Sequence, residues 1–179
     1  MFSKKSFEWY RNKTAGITQK AAQDSMLTRI LLKGKRAPLL VPGTMYTFLY
    51  DAKMKDVLPY WDKFPLVLIV EPYEDGFLGL NLHYIPPSFR YKILQQLSRL
   101  NTDTKYDNKT RIRLSWELLK TATRIKFVRR CIKRYLDDHR RSKMVKIPYN
   151  EWPHVIMLPS QRFTGATPKQ VWADSLGKE

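Results

Sequence analysis

The residues of this sequence that are best suited to chemistry are the cations between residues 126 and 146, in the stretch KFVRRCIKRYLDDHRRSKMVK. Only Asp137 and Asp138 are acidic there, so the lysines and arginines far outnumber the acids that could neutralise them. Clustered Lys and Arg side chains bind phosphate groups, and such contacts position a nucleic acid without reading its sequence. We therefore predict a nucleic-acid-binding surface made of Lys126, Arg129, Arg130, Lys133, Arg134, Arg140, Arg141 and Lys143.

Other residue types that carry chemistry do not form a recognisable centre. The histidines His83, His139 and His154 are far apart, and no Cys or carboxylate lies at a metal-ligand spacing, so we predict no metal site. Asp137-Asp138-His139 is disfavoured as a metal site because adjacent residues of a helix point about 100° apart. The sequence has no glycine-rich phosphate loop and no nucleophile motif. We predict no catalytic residues, no cofactor and no enzymatic activity.

Aromatic side chains offer a second way to contact nucleic acid. Tyr60 and Trp61 form an aromatic loop that, with Tyr46, Tyr50 and Tyr84, is able to stack on bases or clamp a peptide. Such residues are more often the core of a small barrel, and we favour that interpretation. Tyr60 and Trp61 nevertheless remain candidates for an aromatic contact surface.

Asn81 and His83 share one face of a predicted strand with Gly79. An Asn-x-His pair by itself is weak evidence for a functional site. We interpret this face as the outer side of a sheet, where Gly79 admits the close approach of another backbone.

The net charge of +17 on the 179-residue chain is concentrated in two segments. Residues 1–36 contribute +7 and residues 109–146 contribute +11, whereas residues 37–108 balance at −1. Clustered cations repel one another until counter-charge arrives, so this distribution favours a polyanion as the partner. The alternative is a solvated face that is basic by chance, although ordinary surfaces mix both signs.

The apolar residues within the basic stretch predict that this stretch forms a helix. They recur at spacings of one, three and four, namely Phe127, Val128, Cys131, Ile132, Tyr135 and Leu136. That spacing places them on one face against a core and leaves the cations on the outer face, without acidic partners. We predict a helix over about 108–140, with Asp107 as its N-cap.

The sequence pattern between residues 43 and 85 predicts an antiparallel sheet. The run PLVLIV is typical of a strand buried on both faces, and Asp75-Gly76 predicts the bend of a hairpin. We expect a helix at about 87–100, short strands in MVKIP and HVIML, and a final helix capped by Thr167. The predicted fold class is α+β: a small bent antiparallel sheet or SH3-like barrel followed by two or three helices.

We predict two parts of the chain, a basic N-terminal extension at 1–36 and a single α+β domain at 37–179. The extension is expected to become ordered against a partner or a second copy, with aromatic anchors that include Tyr10. One cysteine, Cys131, excludes a disulfide framework. No segment approaches the roughly 18 consecutive apolar residues that span a bilayer, and no secretory signal is found, so we expect no membrane partner.

Several blocks of the sequence resemble a known family over residues 42 to about 174, among them LPYWDKFPLVL, DGFLGLNLHYIPP, KFVRRCIKRYL, VKIPYNEWPHVIMLP and QVWADS. They resemble small virion-associated proteins of large tailed bacteriophages that are described as DNA end protectors. The resemblance implies a non-enzymatic protein of the virion, present in the host cytoplasm during assembly. It implies binding to the ends of packaged linear double-stranded DNA, shielding from exonuclease, and a position near the portal or neck among other virion proteins. It supplies no catalytic residues.

Two other functions remain open at this point. The first is a structural component of the neck, tail or baseplate whose basic segments pack on acidic protein neighbours. For either function, a second copy of the chain in a homo-oligomer is a candidate partner. The second is a nuclease, because the strands PGTMYTF and FPLVLIV are faintly similar to those of small SH3-like barrel ribonucleases. Catalytic basic and hydroxyl residues are not found at clear positions for that activity. A salt-dependent affinity for linear DNA separates the DNA-binding function from the structural one.

Overall fold

The computed structural model describes residues 40–102 and 125–177, together with residues 8, 10–13, 15, 107, 110, 113, 114 and 117. At residue 94 and residues 97–102 it describes the backbone alone. Every structural statement below refers to these residues.

The described residues form seven strands. They are β1 (Met45–Thr47), β2 (Trp61–Asp62), β3 (Leu66–Tyr73), β4 (Gly76–Asn81), β5 (Ile132–Leu136), β6 (Val145–Ile147) and β7 (Phe163–Thr164). Five of them form an antiparallel sheet in the order β5-β4-β3-β1-β6, and β2 pairs separately with β7. The predicted α+β class with an antiparallel sheet is confirmed.

The apolar first part of β3, residues 66–70, is buried on both faces, as its unbroken apolar run predicts, and the last three residues are exposed. Leu66, Leu68 and Val70 belong to a core cluster that also contains residues of the helices, which we call the helix-side cluster. Val67 and Ile69 point the other way, into a second cluster that we call the aromatic cluster. The aromatic cluster consists of Leu40, Tyr46, Phe48, Tyr50, Ala52, Val67, Ile69, Phe77 and Tyr135.

The bend between β3 and β4 lies next to Gly76, as the Asp75-Gly76 pair predicts. Gly76 has a φ of 152°, and a Cβ placed there would lie 1.9 Å from the carbonyl oxygen of Tyr135. Only glycine therefore allows β5 to pair with the start of β4. The bend that makes the hairpin also makes room for the next strand of the sheet.

Helices cover one side of the sheet. The α-helices with described bounds are α1 (Pro87–Thr102), α2 (Lys126–Arg130), α3 (Trp152–Val155) and α4 (Pro168–Leu176). Helix α4 begins as predicted, since Thr167 and Gln170 form a reciprocal capping box. No helix of the described part is long and apolar enough to cross a membrane.

The predicted strand in HVIML is wrong. Trp152 and Pro153 begin the short helix α3, and Val155 and Ile156 are buried in the helix-side cluster. Proline is favoured in the first turn of a helix, where its missing N–H is not needed. A short apolar run does not by itself distinguish a strand from a buried helical turn.

The predicted helix over 108–140 is wrong at its C-terminal end. Helix α2 ends at Arg130, and the chain continues as strand β5, antiparallel to β4. Strand β5 pairs the backbone groups on the outer edge of β4, which would otherwise lack partners. It also places Tyr135 inside the aromatic cluster, with its ring centroid 5.3 Å from that of Phe77.

Most of the predicted helix before residue 125 lies outside the described residues. Positions 110, 113, 114 and 117 are described and are helical. The carboxylate of Asp107 accepts a hydrogen bond from the backbone N–H of Thr110 at 2.7 Å, as expected of the predicted N-cap.

The five-stranded sheet has β5 and β6 at its edges, so a closed SH3-like barrel is not found among the described residues. Residues 137–144 join β5 to β6 and are tied to the chain that follows β1. The backbone N–H of Asp51 donates to the carbonyl of His139 at 3.0 Å, and that of Arg141 donates to the carbonyl of Leu49 at 2.8 Å. These bonds hold residues 137–144 against the chain that follows β1.

Most of the predicted basic extension, residues 1–36, lies outside the described residues. Tyr10 is described, and it is buried in the helix-side cluster with 6% of its surface exposed. The division of the chain at residue 36 stays a prediction.

Arg90 joins the helical layer to the end of β4 from inside the protein. It is 1% exposed, and its guanidinium donates to the carbonyls of Ile85 at 2.6 Å, Ile156 at 3.1 Å and His83 at 3.2 Å. Burial lowers the pKa of Arg90 to about 10, against the opposing influence of Asp62. The guanidinium is still protonated at neutral pH, so it holds three chain segments together as a charged donor.

We predict that Arg90→Met lowers the free energy of unfolding by about 2 kcal/mol, because buried carbonyls lose their donor. Lys92→Met, at an exposed position of the same helix, is the matched control and should change it by no more than about 0.5 kcal/mol. Urea unfolding of both variants measures the difference. Wild-type stability in Arg90→Met would show that the buried guanidinium does not hold these segments.

Candidate nucleic-acid interface

The structure divides the predicted cations among three different elements. Lys126, Arg129 and Arg130 lie on helix α2, and all three are exposed. Arg130 also donates from Nη1 to the backbone carbonyl of Asp174 at 3.0 Å. Lys126 and Arg129 take part in none of the ion pairs of the described residues. Their charges are therefore available to an external anion.

Strand β5 carries Lys133 and Arg134 on opposite faces of the sheet edge. Arg134 forms an ion pair with Asp75, and its guanidinium lies 4.3 Å from the centroid of the Tyr73 ring. The prediction that the basic stretch lacks acidic partners is thus wrong for Arg134. Its partner was not evident in the sequence because Asp75 lies in the β3–β4 bend, 59 residues away.

The remaining predicted cations lie in the chain after β5. Arg140 is only 6% exposed and pairs with Asp137 at 3.0 Å. Arg141 pairs with Asp51 at 3.2 Å. These two arginines hold the segment after β5 in place and offer little free charge. Lys143 is exposed and takes part in none of the described ion pairs.

The aromatic candidates Tyr60 and Trp61 are half-buried at the β2–β7 pair. The Tyr60 ring packs against Tyr84 and Phe163, with centroid distances of 6.0 and 6.5 Å. Tyr46, Tyr50 and Tyr84 are buried, which confirms that they are core residues. Tyr60 and Trp61 differ from them because each is only half-buried.

A pocket of about 340 Å³ brings together residues that are distant in the sequence, and we call it the aromatic pocket. It lies between the loop before β2, Tyr84 and strand β5. Its lining contains the predicted candidates Tyr60, Trp61, Lys133 and Arg134. The other lining residues are Tyr50, Ala52, Lys53, Met54, Leu58, Asp62, Tyr84, Tyr135 and Leu136.

Lys133 is half-buried, whereas the other cations that line the aromatic pocket, Lys53 and Arg134, are exposed. Its ammonium lies 4.4 Å from the centroid of the Tyr84 ring, an arrangement in which the negative face of the ring attracts the charge. Burial lowers the pKa of Lys133. None of the ion pairs among the described residues includes it. An anion that entered the pocket would therefore meet a poorly solvated, unneutralised cation.

Asp62 lies at the inner wall of this pocket and is almost completely buried. Its carboxylate accepts hydrogen bonds from the backbone N–H groups of Phe64 at 3.0 Å and Arg162 at 3.1 Å. The side chains of Asn81 and His83 also contact it, at 3.3 and 2.6 Å. Burial alone would raise the pKa of Asp62, but His83 and the two N–H donors outweigh burial and lower it.

The interpretation of Asn81 and His83 as residues of an outer sheet face is wrong, because both are fully buried. Asn81 bridges Asp62 to the hydroxyl of Tyr135 at 3.0 Å. The space beside Gly79 is filled by the side chain of Val67, and a Cβ at Gly79 would lie 2.1 Å from it. No local pattern indicates this burial, because polar residues on alternate strand positions usually face solvent.

His83 also lies 3.0 Å from the hydroxyl of Ser160, so Asp62, His83 and Ser160 form a carboxylate–imidazole–hydroxyl chain. This order occurs in serine hydrolases, where the hydroxyl faces the substrate. Here Ser160 is absent from the lining of the aromatic pocket. The chain therefore connects segments of the fold and does not present a nucleophile to the pocket.

One further reactive side chain is also part of the fold. Cys131 is buried, and burial raises the pKa of its thiol to about 11, which leaves it protonated and unreactive at neutral pH. Among the described residues, no group of three or more His, Cys, Asp or Glu side chains is arranged to hold a metal ion.

Comparison with protein families identifies a match. A family model described as Phage T4 terminal DNA protecting protein matches residues 3–175 of the chain. No curated protein and no solved structure matches it.

We predict that Asp62→Asn lowers the free energy of unfolding by about 3 kcal/mol at neutral pH, because His83 and two backbone donors lose a buried carboxylate. The lowered pKa means that the contribution of Asp62 is complete above its unfolded pKa of 3.8 and is lost as pH falls through the folded value. The stability gap between wild type and variant should therefore narrow in acid.

Urea unfolding at a series of pH values measures that gap. Asp56→Asn, at an exposed position of the same loop region, is the control and should change stability by no more than about 0.5 kcal/mol. A gap that stays constant in acid, or that is absent at neutral pH, would contradict the role given to Asp62.

Proposed function

Since the chain belongs to the Phage T4 terminal DNA protecting protein family, we propose that it binds the ends of packaged linear double-stranded DNA and shields them from exonuclease. The observation that carries the proposal is the family match over residues 3–175, almost the whole chain. The description of the family names a protective role on DNA and not a reaction. We further propose that the protein acts in the virion, near the portal or neck, among other virion proteins, after a period in the host cytoplasm during assembly.

The exposed cations support DNA as the partner. Lys126, Arg129, Arg130 and Lys143 present charges that no acidic side chain of the described residues neutralises. Lys and Arg side chains of this kind bind phosphates and release counterions, which favours binding at low salt. We assign phosphate contacts to these four residues. Arg140 is excluded from that role because it is buried against Asp137.

The alternative is a structural component of the neck, tail or baseplate whose basic segments pack on acidic protein neighbours. The two functions predict different behaviour toward linear DNA. Only a DNA-binding protein should bind it, with an affinity that falls as the salt concentration rises. Phosphate contacts carry no base information, so DNA binding through these cations should be similar for different sequences. A protein that only packs on acidic neighbours would leave linear DNA open to digestion.

An exonuclease assay on linear duplex DNA tests the proposed shielding. Digestion from the ends should slow as protein is added, whereas a restriction endonuclease that cuts at a central site should be unaffected. Slowing of both enzymes would indicate coating of the whole duplex and contradict end protection. Undiminished digestion from the ends would favour the structural alternative.

Substitution of the free cations tests the assigned contacts. Lys126→Gln and Arg129→Gln should each reduce the slope of log affinity against log salt by about 0.9, the value for one lost phosphate contact. The matched control is Lys146→Gln on β6, at the opposite edge of the sheet from β5, which should leave the slope unchanged. Slopes equal to wild type in both test variants would remove α2 from the DNA contact.

A further inference from the structure

End protection requires the protein to distinguish a DNA end from the interior of a duplex. Contacts to phosphates cannot do this, because the backbone is nearly the same along its length. An end differs in three features: the exposed face of the last base pair, a terminal nucleotide that frays, and a terminal phosphate or hydroxyl. A site that recognises ends should therefore offer aromatic or apolar surface beside a cation.

The aromatic pocket has this combination. We propose that it binds the terminal nucleotide of a DNA strand after that nucleotide has unpaired, with the base against Tyr60 and Trp61 and the phosphate at Lys133. The inference rests on the proposed function and adds the part of the DNA that the protein recognises.

The size of the pocket suits one nucleotide. Its volume of about 340 Å³ lies near the lower limit of ligand pockets, which range over roughly 300–1,000 Å³. A base pair within a duplex cannot enter it, since the base must first leave the stack. A frayed terminal nucleotide is the least costly one to extrude, and this gives the pocket a preference for ends.

The walls of the pocket suit a base and its phosphate. Tyr60 and Trp61 are half-buried and line the pocket, and aromatic rings stack on bases of any sequence. The ammonium of Lys63 lies 5.6 Å from the centroid of the Trp61 ring and adds a cation beside it. Lys133 supplies an ammonium without an acidic partner among the described residues, and Lys53 adds an exposed one at the lining. Arg134 is engaged by Asp75 and is assigned a supporting position at the rim.

The carboxylate of Asp62 also lines the pocket, and a bare carboxylate would repel a phosphate. Its oxygens already accept hydrogen bonds from the donors of Phe64, Arg162, Asn81 and His83. These contacts hold it against the inner wall. The phosphate is therefore assigned to the side of the pocket formed by β5, where Lys133 lies.

An apolar lip of exposed side chains borders the pocket. Met54, Val57 and Leu58 are 56%, 71% and 42% exposed, and Met54 and Leu58 line the pocket. Exposed apolar side chains of this kind insert between base pairs or stack on them in proteins that distort DNA. Beside a pocket that holds an extruded nucleotide, this lip suits the uncovered face of the last paired bases.

Competition between two duplexes of the same sequence tests the inference with the full-length protein. One duplex has open ends, and both ends of the other are closed by non-nucleotide linkers. Wild type should prefer the open duplex by roughly tenfold, the value of one stacked base. Trp61→Ala and Lys133→Gln should both lose this preference while they retain the salt-dependent affinity for the closed duplex.

Two control variants test whether the loss of an aromatic side chain or a lysine outside the pocket has the same effect. Tyr91→Ala removes an exposed aromatic side chain that does not line the pocket, and Lys146→Gln removes a lysine at the opposite sheet edge. Both should keep the preference for open ends. Thermal unfolding of every variant shows whether it is folded. If Trp61→Ala does not fold, Lys133→Gln still tests the inference.

Separate open duplexes with a 5′-phosphate, a 5′-hydroxyl, or a recessed 5′ strand identify which terminal nucleotide is bound. Equal affinity of wild type for open and closed duplexes would overturn the inference and leave phosphate binding intact. A preference for open ends that survives in both Trp61→Ala and Lys133→Gln would overturn it as well. Failure of wild type to bind either duplex would overturn the proposed function itself.

Discussion

The buried carboxylate of Asp62 is the constraint on which the other features of the structure depend. A charge in the protein interior is stable only where donors surround it, and Asp62 has two backbone N–H groups together with Asn81 and His83. These donors belong to the end of β4, to the chain after β2 and to the chain before β7. One carboxylate therefore fixes the position of the β2–β7 pair, and it holds Tyr60 and Trp61 beside β5, where the aromatic pocket forms.

The cations have separate roles, which the net charge of +17 alone would not reveal. Arg90 and Arg140 are buried and bind to carbonyls or to a carboxylate, so their charges stabilise the fold. Lys126 and Arg129 are exposed and free of acidic partners among the described residues, so their charges suit an external phosphate. Lys133 lies between these two cases because it is half-buried and remains unneutralised. The interface is thus smaller than the basic stretch from which it was predicted.

Local sequence patterns predicted the sheet, the β3–β4 bend and the cap of α4, because each depends on neighbouring residues. The long basic helix was predicted wrongly, since Ile132, Tyr135 and Leu136 fit helical spacing and pair with β4 in the fold. The candidate site was predicted in parts: Tyr60, Trp61, Lys133 and Arg134 were named, but not their meeting in one pocket. That meeting depends on contacts between distant parts of the chain, such as the one between Asn81 and Asp62, which no local pattern contains.

The central claim is that the aromatic pocket holds the terminal nucleotide of a DNA end. Photocrosslinking with 5-iodouracil tests it most directly, because this base reacts with aromatic side chains that stack on it. The base is placed either at the strand terminus or at a central position of the same duplex, and the crosslinked residue is mapped by mass spectrometry. We expect adducts at Tyr60 or Trp61 from the terminal position and none there from the central position. Adducts at these residues from both positions, or adducts from the terminus only at other residues, would contradict it.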